Sequence, residues 1–489
     1  MAIPIFGKIT MKRFLILFML ILALLISNPV EAKIIHVPAD SSSIQAGINA
    51  AVDGDTVLVV RGHYYERINF LGKGILVASN FIFDNDTTTI DSTVIDADTS
   101  ILGISDTGSV VVFASQEDSN ALIIGFTIQN GTGTVGEDGQ RNGGGIYCVF
   151  SRPYISNNII RCNSVSGCGG GIYCEITSRP TLHNNIIRGN SAVSGGGIFC
   201  WFFSSPRLCG NFIINNSAIS CGGGICCTKL SSPIIDRNCI IGNSSSSGGG
   251  ICCMYYSSPT ITNNVMVKNS VDFYGGAICC AGESSPAIRN NTITGNSANC
   301  GGGIYCDNSS PAVINNIISN SLNGEGIACE YSSYPNIYHN DVWNNTDGNF
   351  HNTPAGVGDT SWGANFAGIP CDSFFNLIRN PLFADTVEFE LLCNSPCINA
   401  GDPSISISSD SGGCRIDIGT REYLYIVGDA DCDSMIHIDD IIFVIKYLYK
   451  NGPSPCPYHA GDTNCDGEID LLDILCLINY LFRGADLPC

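Results

Sequence analysis

Acidic residues are concentrated in two loops near the C-terminus, and their spacing suits a divalent cation. The first loop opens at residues 428–433, and the second covers residues 462–473. Oxygen ligands at loop positions 1, 3, 5, 9 and 12, with glycine at position 6, are what a hard Ca²⁺ ion requires. The spacing therefore predicts one Ca²⁺ site in each loop. The alternative is that each loop is acidic and solvated and binds no metal.

The second loop fits this pattern at every position. Its predicted ligands are Asp462, Asn464, Asp466, the carbonyl of Glu468, Asp470 and Asp473. The first loop fits less well, because Ser434 replaces the glycine. Its predicted ligands are Asp429, Asp431, Asp433, Met435 at the carbonyl position, His437 at position 9, and Asp440.

No catalytic constellation stands out elsewhere in the chain. Glycoside hydrolysis needs paired carboxylates, and lyase chemistry needs a base beside a cation or a metal. The best available pair is Asp307 and Glu330, which follow the last cysteine of two neighbouring copies of the repeat described next. Solvated surface charge explains these residues equally simply, so they are candidates only.

A six-residue motif, Gly-Gly-Gly-Ile-Tyr-Cys in its first copy, recurs through the middle of the chain. Its copies begin at Gly143, Gly169, Gly195, Gly222, Gly248, Gly275, Gly301 and, in degenerate form, Gly324. A nearly fixed period indicates one structural unit stacked on copies of itself. Because apolar residues alternate with a period of two, the unit consists of strands. We therefore predict an all-β fold, a parallel β-helix with about 26 residues per coil.

Equivalent positions of the repeat predict what each column of residues does. Columns beginning at Ile146, Cys148, Ile155 and Ile160 are expected to point inward, and the residue between the motif isoleucine and cysteine is expected to point outward. Packed thiols and disulfides between coils are both open for the cysteine column. A metal site is conceivable at outward cysteines stacked on three consecutive coils, although no histidine joins them. These are Cys226, Cys252 and Cys279.

Two asparagine columns and the glycines are assigned to the corners between strands. The asparagine columns begin at Asn158 and Asn163, and the second one is expected to include Asn320. Asparagine tolerates left-handed backbone at a bend, and stacked amides can bond from coil to coil. The glycines are expected where a positive φ or close packing excludes a Cβ.

The N-terminus carries the features of an export signal. Lys12 and Arg13 precede an apolar run at residues 14–26, which is too short to favour a membrane span. We predict a signal peptide at residues 1–32. No second run of this kind occurs, so we predict no membrane span and an extracellular or cell-surface location.

Residues 33–424 resemble bacterial right-handed parallel β-helix proteins of the pectin-lyase-like superfamily. The matching residues are Ile44, Gln45, Ile48, Gly54, Asp55, Thr56, Val57, Gly62, Tyr64 and Glu66, and the later segments 380–383, 395–401 and 417–419. The resemblance implies an N-terminal cap with the first coils at 33–130, regular coils at 131–345 and a closing segment at 346–424. It does not define an activity, because this superfamily includes lyases, hydrolases, epimerases and many non-enzymes.

Residues 425–489 resemble the type I dockerin module, a small helical Ca²⁺-binding domain with two loops, each followed by one helix. The resemblance implies that Ca²⁺ folds the module and that the module docks onto a cohesin domain. The family's partner-reading positions are Ile438, Asp439, Leu471 and Leu472 here. Hydroxyl residues are common at those positions in the family, so the standard cohesin partner is in doubt.

The net charge of −21 disfavours nucleic acids and anionic membranes as partners. It also makes unaided binding of a strongly anionic polysaccharide less favourable. The sequence thus favours a secreted or cell-surface scaffold that binds carbohydrate, either a polysaccharide or a cell-surface glycan, and that docks on a cohesin-like protein. The alternative is a polysaccharide lyase or glycoside hydrolase of polysaccharide catabolism. The regular middle favours binding, since functional sites usually break a repeat.

Overall fold

The computed structural model describes residues 32–98, 108–136, 139–365, 368–392, 394–405, 416–420, 427–431, 435–450, 452–455, 458–464 and 466–487. All of the predicted signal peptide except its last residue lies outside these ranges. No helix in the described part of the chain is long and apolar enough to cross a membrane.

The predicted fold class is confirmed, because the chain winds into a right-handed parallel β-solenoid of about 12 turns with 26 residues per coil. Each coil contributes one strand to each of three parallel sheets. Sheet A contains Ile34–Val37, Thr56–Val59, Leu76–Ser79, Leu122–Ile124, Tyr154–Ser156, Thr181–His183, Arg207–Cys209, Ile234–Asp236, Thr260–Thr262, Ala287–Arg289, Ala312–Ile314 and Asn336–Tyr338. Sheet B contains Gly62–Tyr65, Thr93–Asp96, Thr127–Gln129, Ile159–Arg161, Ile186–Arg188, Phe212–Ile214, Cys239–Ile241, Val265–Val267, Thr292–Thr294, Ile317–Ser319 and Asp341–Trp343. Sheet C contains Ile68–Asn69, Val111–Phe113, Ile146–Val149, Ile172–Glu175, Ile198–Trp201, Ile225–Cys227, Ile251–Cys253, Ile278–Ala281, Ile304–Asp307, Ile327–Glu330 and Phe350–His351.

A smaller parallel sheet, sheet D, and five helices complete the described structure. Sheet D contains Ser191–Ser194, Ser217–Cys221, Ser244–Ser247 and Ser270–Tyr274. Two short hairpins pair Thr134–Val135 with Arg141–Asn142 and Gly363–Ala364 with Pro370–Cys371. The helices are α1 Ile44–Ala50, α2 Phe81–Asp84, α3 Thr87–Ser92, α4 Ile438–Lys450 and α5 Leu471–Arg483, with a 3₁₀ turn at Tyr458–Ala460.

The inward columns predicted from the repeat form one continuous core. Ile146 pairs in register with Ile172 and Cys148 with Cys174, and this register continues through the motif coils. The inward cysteines are buried thiols rather than disulfides. At the N-terminal end, Ile44 and Ile48 of α1 join the same core. Burial of apolar side chains from every coil is the main force that stacks the coils.

Two asparagine ladders run along the corners, but the left-handed backbone falls one residue earlier than predicted. Asn158 and Asn185 are buried, and the Asn158 side chain donates to Asn185 Oδ1 at 3.2 Å. The residues with positive φ are the preceding ones, Asn157 and Asn184. The prediction of Asn320 in the second ladder is wrong, because the second ladder follows the first by five residues in every coil, and five residues after Asn316 comes Ser321. Ser321 takes the ladder position and Asn320 takes the left-handed one.

In the first copy of the motif, each glycine of the triplet has a structural reason, although Ala277 and Glu325 replace glycine in later copies. Gly143 has a φ of 65°, the left-handed region that glycine adopts without strain. A Cβ on Gly144 would lie 2.5 Å from the carbonyl oxygen of Gly170, and one on Gly145 would lie 2.6 Å from that of Gly171. Successive coils therefore stack backbone on backbone here, so both predicted reasons for glycine apply.

The position between the motif isoleucine and cysteine points outward, as predicted, but it is buried. It does point away from the main core, but it packs into a second apolar cluster on the outer side of sheet C. This cluster contains Tyr147, Tyr173, Phe199, Cys221, Cys226, Cys252, Cys279, Tyr305 and Ala328. Cys221, the last residue of one sheet D strand, belongs to this cluster, so the outer side of sheet C is partly covered by sheet D.

Candidate functional site

The two acidic loops each lead into one of the C-terminal helices. The helices α4 and α5 contact each other, and a small apolar core lies around them. Its buried residues are Ala430, Ile441, Val444, Ile469, Ile474 and Leu477. At the start of α5, Asp470 caps the helix and Asp473 completes a capping box. The last acidic residue of each loop is thus fixed by the first turn of a helix.

The first loop brings three predicted ligands together. Carboxylate oxygens of Asp429, Asp431 and Asp440 lie within 4.8 Å of one another. Asp440 is fully buried, and its carboxylate accepts hydrogen bonds from the backbone N–H groups of Ala430 and His437, both at 2.7 Å. Three carboxylates this close repel one another unless a cation lies between them. His437 Nδ1 lies 3.4 Å from Asp440 Oδ2.

The second loop has the same internal bonding. Asp473 Oδ1 accepts from the backbone N–H of Thr463 at 2.7 Å, and Oδ2 accepts from that of Asp470 at 2.8 Å. Asp462 accepts from the backbone N–H groups of Asp466 and Gly467. Burial raises the pKa of Asp473, and the nearby Asp462 adds to this effect. A bound cation would counter both effects.

The donor set fits a hard divalent cation, because every side chain gathered in the two loops offers oxygen except His437. Asn464 and Asp466 of the second loop lie close together, with Asn464 Nδ2 donating to Asp466 Oδ2 at 3.0 Å. Met435 and Glu468 are exposed, as suits residues whose carbonyl is the predicted ligand. The predicted ligand Asp433 and the loop cysteines Cys432 and Cys465 lie outside the described residues.

The predicted partner-reading residues are exposed at equivalent places. Ile438 and Asp439 begin α4, and Leu471 and Leu472 begin α5. The side chains of Ile438, Leu471 and Leu472 are between 53% and 55% exposed. Three large apolar side chains in these positions make a surface suited to an apolar partner.

A second exposed surface, which we call the corner stripe, lies where the chain passes from sheet C to sheet A. It consists of two consecutive residues from each of three successive coils, Phe202, Phe203, Lys229, Leu230, Tyr255 and Tyr256. The coils are joined by backbone bonds from Phe203 N to the carbonyl of Lys229 and from Leu230 N to that of Tyr255, both 3.1 Å. The rings of Phe202, Phe203, Tyr255 and Tyr256 are each about half exposed.

All six residues of the corner stripe have left-handed backbone. Tyr255 and Tyr256 have φ values of 53° and 63°. This conformation costs an L-residue roughly 1–2 kcal/mol, and glycine or asparagine would adopt it at lower cost. Glycine does stand at the equivalent place in the next coil, Gly282, with φ 61°. Ile176 and Thr177 have the same conformation at this corner of the preceding coil, so the exposed aromatic side chains are what distinguish the stripe.

Two neighbours fix the orientation of the tyrosine rings. Lys229 Nζ lies over the Tyr255 ring, 5.5 Å from its centroid. Tyr256 Oη donates to Glu283 Oε1 at 3.1 Å, and this carboxylate raises the pKa of Tyr256. Sequence reasoning missed the stripe, because two consecutive left-handed residues carry no sequence signature unless they are glycine or asparagine.

The candidate carboxylates Asp307 and Glu330 lie near one end of the corner stripe. They are register partners on neighbouring strands of sheet C, and Asp307 pairs with Ala281 of the coil that follows Tyr255. Burial raises the pKa of Asp307, and the charge of Glu330 contributes. His351 Nε2 lies 3.4 Å from Glu330 Oε1. Sequence reasoning missed His351, because it follows the last clear repeat.

Asp236 and Arg237, charged neighbours at the end of a sheet A strand, do not form a site. Asp236 accepts hydrogen bonds from the side chains of Thr262 at 3.0 Å and Asn263 at 2.9 Å, both on the neighbouring coil. Arg237 lies 3.8 Å from Asp236 and is exposed. These contacts explain both residues structurally.

Comparison with known protein families agrees with this architecture. Residues 197–367 match the model of the right-handed beta helix region, and residues 48–277 match that of the periplasmic copper-binding protein NosD. Residues 427–482 match the dockerin type I domain. Searches of curated proteins and of solved structures found no significant match.

These matches indicate an extracellular or surface location and anchoring through the dockerin module. Type I dockerin domains are generally calcium-binding, which agrees with the oxygen ligands in both loops. The chain is a right-handed parallel β-helix protein with a C-terminal type I dockerin module.

Proposed function

We propose that this protein is a secreted, dockerin-anchored scaffold whose β-helix binds a neutral polysaccharide along the corner stripe. The observation that carries the proposal is the strained, exposed aromatic surface of three successive coils. Coils repeat about every 4.8 Å, close to the length of one pyranose unit, so a sugar chain could run along the solenoid from coil to coil. Aromatic faces stack on the apolar faces of sugar rings, and tyrosine adds a polar edge.

Charge favours a neutral ligand over an anionic one. The chain has a net charge of −21, and Lys229 is the one cationic residue of the corner stripe. An anionic polymer would be repelled by this field. A neutral glycan is not repelled and still gains from burying aromatic surface.

The dockerin module provides the attachment in this proposal. Two Ca²⁺ ions would be held by the loops at residues 429–440 and 462–473, ordering the first turns of α4 and α5. The exposed residues Ile438, Asp439, Leu471 and Leu472 would then read a cohesin-type partner. The apolar side chains of Ile438, Leu471 and Leu472 predict that the partner surface is also apolar rather than hydroxyl-rich. The predicted signal peptide would deliver the chain to the cell exterior.

Binding to a panel of polysaccharides by the full chain tests the proposal. The test variant replaces Phe202, Phe203, Tyr255 and Tyr256 with asparagine, which tolerates left-handed backbone and removes the rings. We expect wild type to bind at least one neutral polymer and the variant to bind it at least about tenfold more weakly. Phe83→Asn, an exposed aromatic of α2, is the matched control. Equal binding by wild type and the variant would refute the proposal.

A second candidate function is cleavage of the bound polysaccharide, and the placement of Asp307 and Glu330 near the end of the corner stripe favours it. A protonated Asp307 could donate to a leaving oxygen while Glu330 acts as base or nucleophile. Product analysis would reveal new chain ends if this is correct. Asp307→Asn and Glu330→Gln should each abolish them while leaving binding intact, and intact polymers from wild type would exclude the candidate.

A further inference from the structure

The second apolar cluster holds an aromatic stack that is interrupted by cysteine. Tyr147, Tyr173 and Phe199 stack on successive coils, with ring centroids 5.6 and 5.7 Å apart. The next three coils have Cys226, Cys252 and Cys279 at this register, and the aromatic returns with Tyr305. A thiol is much smaller than a ring, so the interruption makes room for another side chain beside sheet C.

Cys221 fills part of that room. It ends the sheet D strand Ser217–Cys221, and its Sγ lies 3.4 Å from Cys226 Sγ. Both side chains are buried. The three glycines at 222–224 turn the chain back between them, and Gly222 has a φ of 66°.

Only this motif coil has cysteine at both positions. The residues equivalent to Cys221 in the flanking coils are Ser194 and Ser247. Their partners across the glycine triplet are Phe199 and Cys252. None of the other copies of the motif has cysteine at both positions. Two of them pair a cysteine with a tyrosine, Cys168 with Tyr173 and Cys300 with Tyr305.

The environment of the pair suits thiol–disulfide exchange. Sulfur contacts with Cys226 and Cys252 lower the pKa of Cys221, and the contact with Cys221 raises the pKa of Cys226. A thiolate is the attacking species in exchange. Cys221 is also the more exposed of the two, at 5% against 0%, so we assign the first attack to Cys221 and the second to Cys226.

We propose that Cys221 and Cys226 form a disulfide that clamps the glycine turn and ties sheet D to sheet C, by exchange with a low-molecular-weight disulfide. The Cys221 thiolate attacks one sulfur of the disulfide RSSR, forming a mixed disulfide and releasing RS⁻. Cys226 loses its proton and attacks Cys221 Sγ, and the second RS⁻ leaves. The released thiolates take up the two protons, so two electrons pass from the cysteines to RSSR and two RSH result.

The geometry requires only a small change. The sulfurs must approach from 3.4 Å to about 2.05 Å, the length of a disulfide bond. The inward cysteines differ, because Cys227 and Cys253 are register partners whose side chains point the same way. The proposal is independent of glycan binding.

Mass spectrometry of the full chain tests this disulfide. The protein is incubated with oxidised glutathione, unfolded in acid, alkylated with N-ethylmaleimide and digested. We expect the peptide spanning Cys221 and Cys226 to have lost two hydrogens, with alkylation of Cys221 reduced about tenfold relative to protein kept reduced. In Cys226→Ser, Cys221 should be alkylated or carry glutathione.

Cys252→Ser is the matched control, because it removes a neighbouring thiol and leaves the pair. The Cys221–Cys226 disulfide should still form in it. Alkylation of both Cys221 and Cys226 in oxidised wild type, or a bond from Cys221 to Cys252 instead, would overturn the proposal. Because the decisive peptide comes from wild type, a variant that fails to fold does not obscure the result.

Discussion

Asp440 and Asp473, 33 residues apart, are bound in the same way by their own loops. Each accepts from the backbone N–H of the second loop residue at 2.7 Å through Oδ1 and from that of the ninth through Oδ2. Both are fully buried. The two halves of the dockerin module thus repeat one another around two buried carboxylates.

Loss of either buried carboxylate should unfold its loop. In Asp440→Asn or Asp473→Asn, we expect the Ca²⁺ affinity of that loop to fall at least about tenfold, because binding energy is folding energy in such modules. Calorimetric titration with Ca²⁺ measures this, and Asp439→Asn, an exposed neighbour, is the control. Chelation of wild type should remove helical circular dichroism and preserve the β-signal. A module that ignores chelator would contradict the Ca²⁺ assignment.

The apolar residues at the starts of α4 and α5 should control docking without affecting metal. Leu471→Ser with Leu472→Ser removes two exposed apolar side chains, and we expect binding to a cohesin-type partner to weaken at least about tenfold. Surface plasmon resonance in Ca²⁺ measures the change. Tyr449→Ser, also exposed but near the end of α4, should bind as wild type. Unchanged binding in the double variant would place the docking surface elsewhere.

The two kinds of corner asparagine should differ in what they contribute to stability. Asn185 donates to Ile155 O at 2.8 Å and to Asn211 Oδ1 at 3.0 Å, and it accepts from Asn158. Asn185→Ala leaves these buried groups without partners, which should lower the free energy of unfolding by about 3 kcal/mol. Asn184→Gly keeps the left-handed backbone at the corner and should change the free energy of unfolding little. Denaturant titration measures the free energy of unfolding of both variants. Equal losses of stability would contradict a stabilising role for the asparagine ladder.

The β-helix should become less stable as the pH rises from about 4 to about 7. Burial raises the pKa of Asp341 to about 7, although Arg379 N and the Cys397 thiol donate to it. The folded protein then binds a proton that the unfolded chain releases, so the free energy of unfolding falls by up to roughly 4 kcal/mol across this window.

Asp341→Asn keeps the shape of the side chain and removes the charge. We expect this variant to flatten the pH dependence of the free energy of unfolding between about pH 5 and about pH 8. Asp91→Asn, an exposed carboxylate of α3, is the control and should leave the slope unchanged. Denaturant titration at both pH values measures the slope. A wild type whose stability rises over this window would contradict the assignment.

Most of the solenoid could be predicted because its repeat is strict. The Ile146 and Cys148 columns have a strand's period of two, and their register follows from the constant spacing of the motif. The two acidic loops are equally recognisable in the sequence, because the spacing of their oxygen-bearing residues is a local property of the chain.

The remaining features depend on contacts between distant residues. Sheet D consists of strands such as Ser244–Ser247, whose composition is typical of a loop. Tyr173 and Cys226 are buried because other residues cover the outer side of sheet C, which their own position in the motif does not reveal. Asn320 was misassigned because the prediction followed the asparagine residue type, whereas the constant five-residue spacing between the ladders leads from Asn316 to Ser321.

Radical footprinting of the full chain with a bound neutral polysaccharide is the most direct test of the central claim. The account predicts that Phe202, Phe203, Tyr255 and Tyr256 become protected, while Tyr65 and Phe83, which are exposed elsewhere, remain reactive. Unchanged reactivity of the corner stripe with polysaccharide bound, or protection confined to another face, would contradict it.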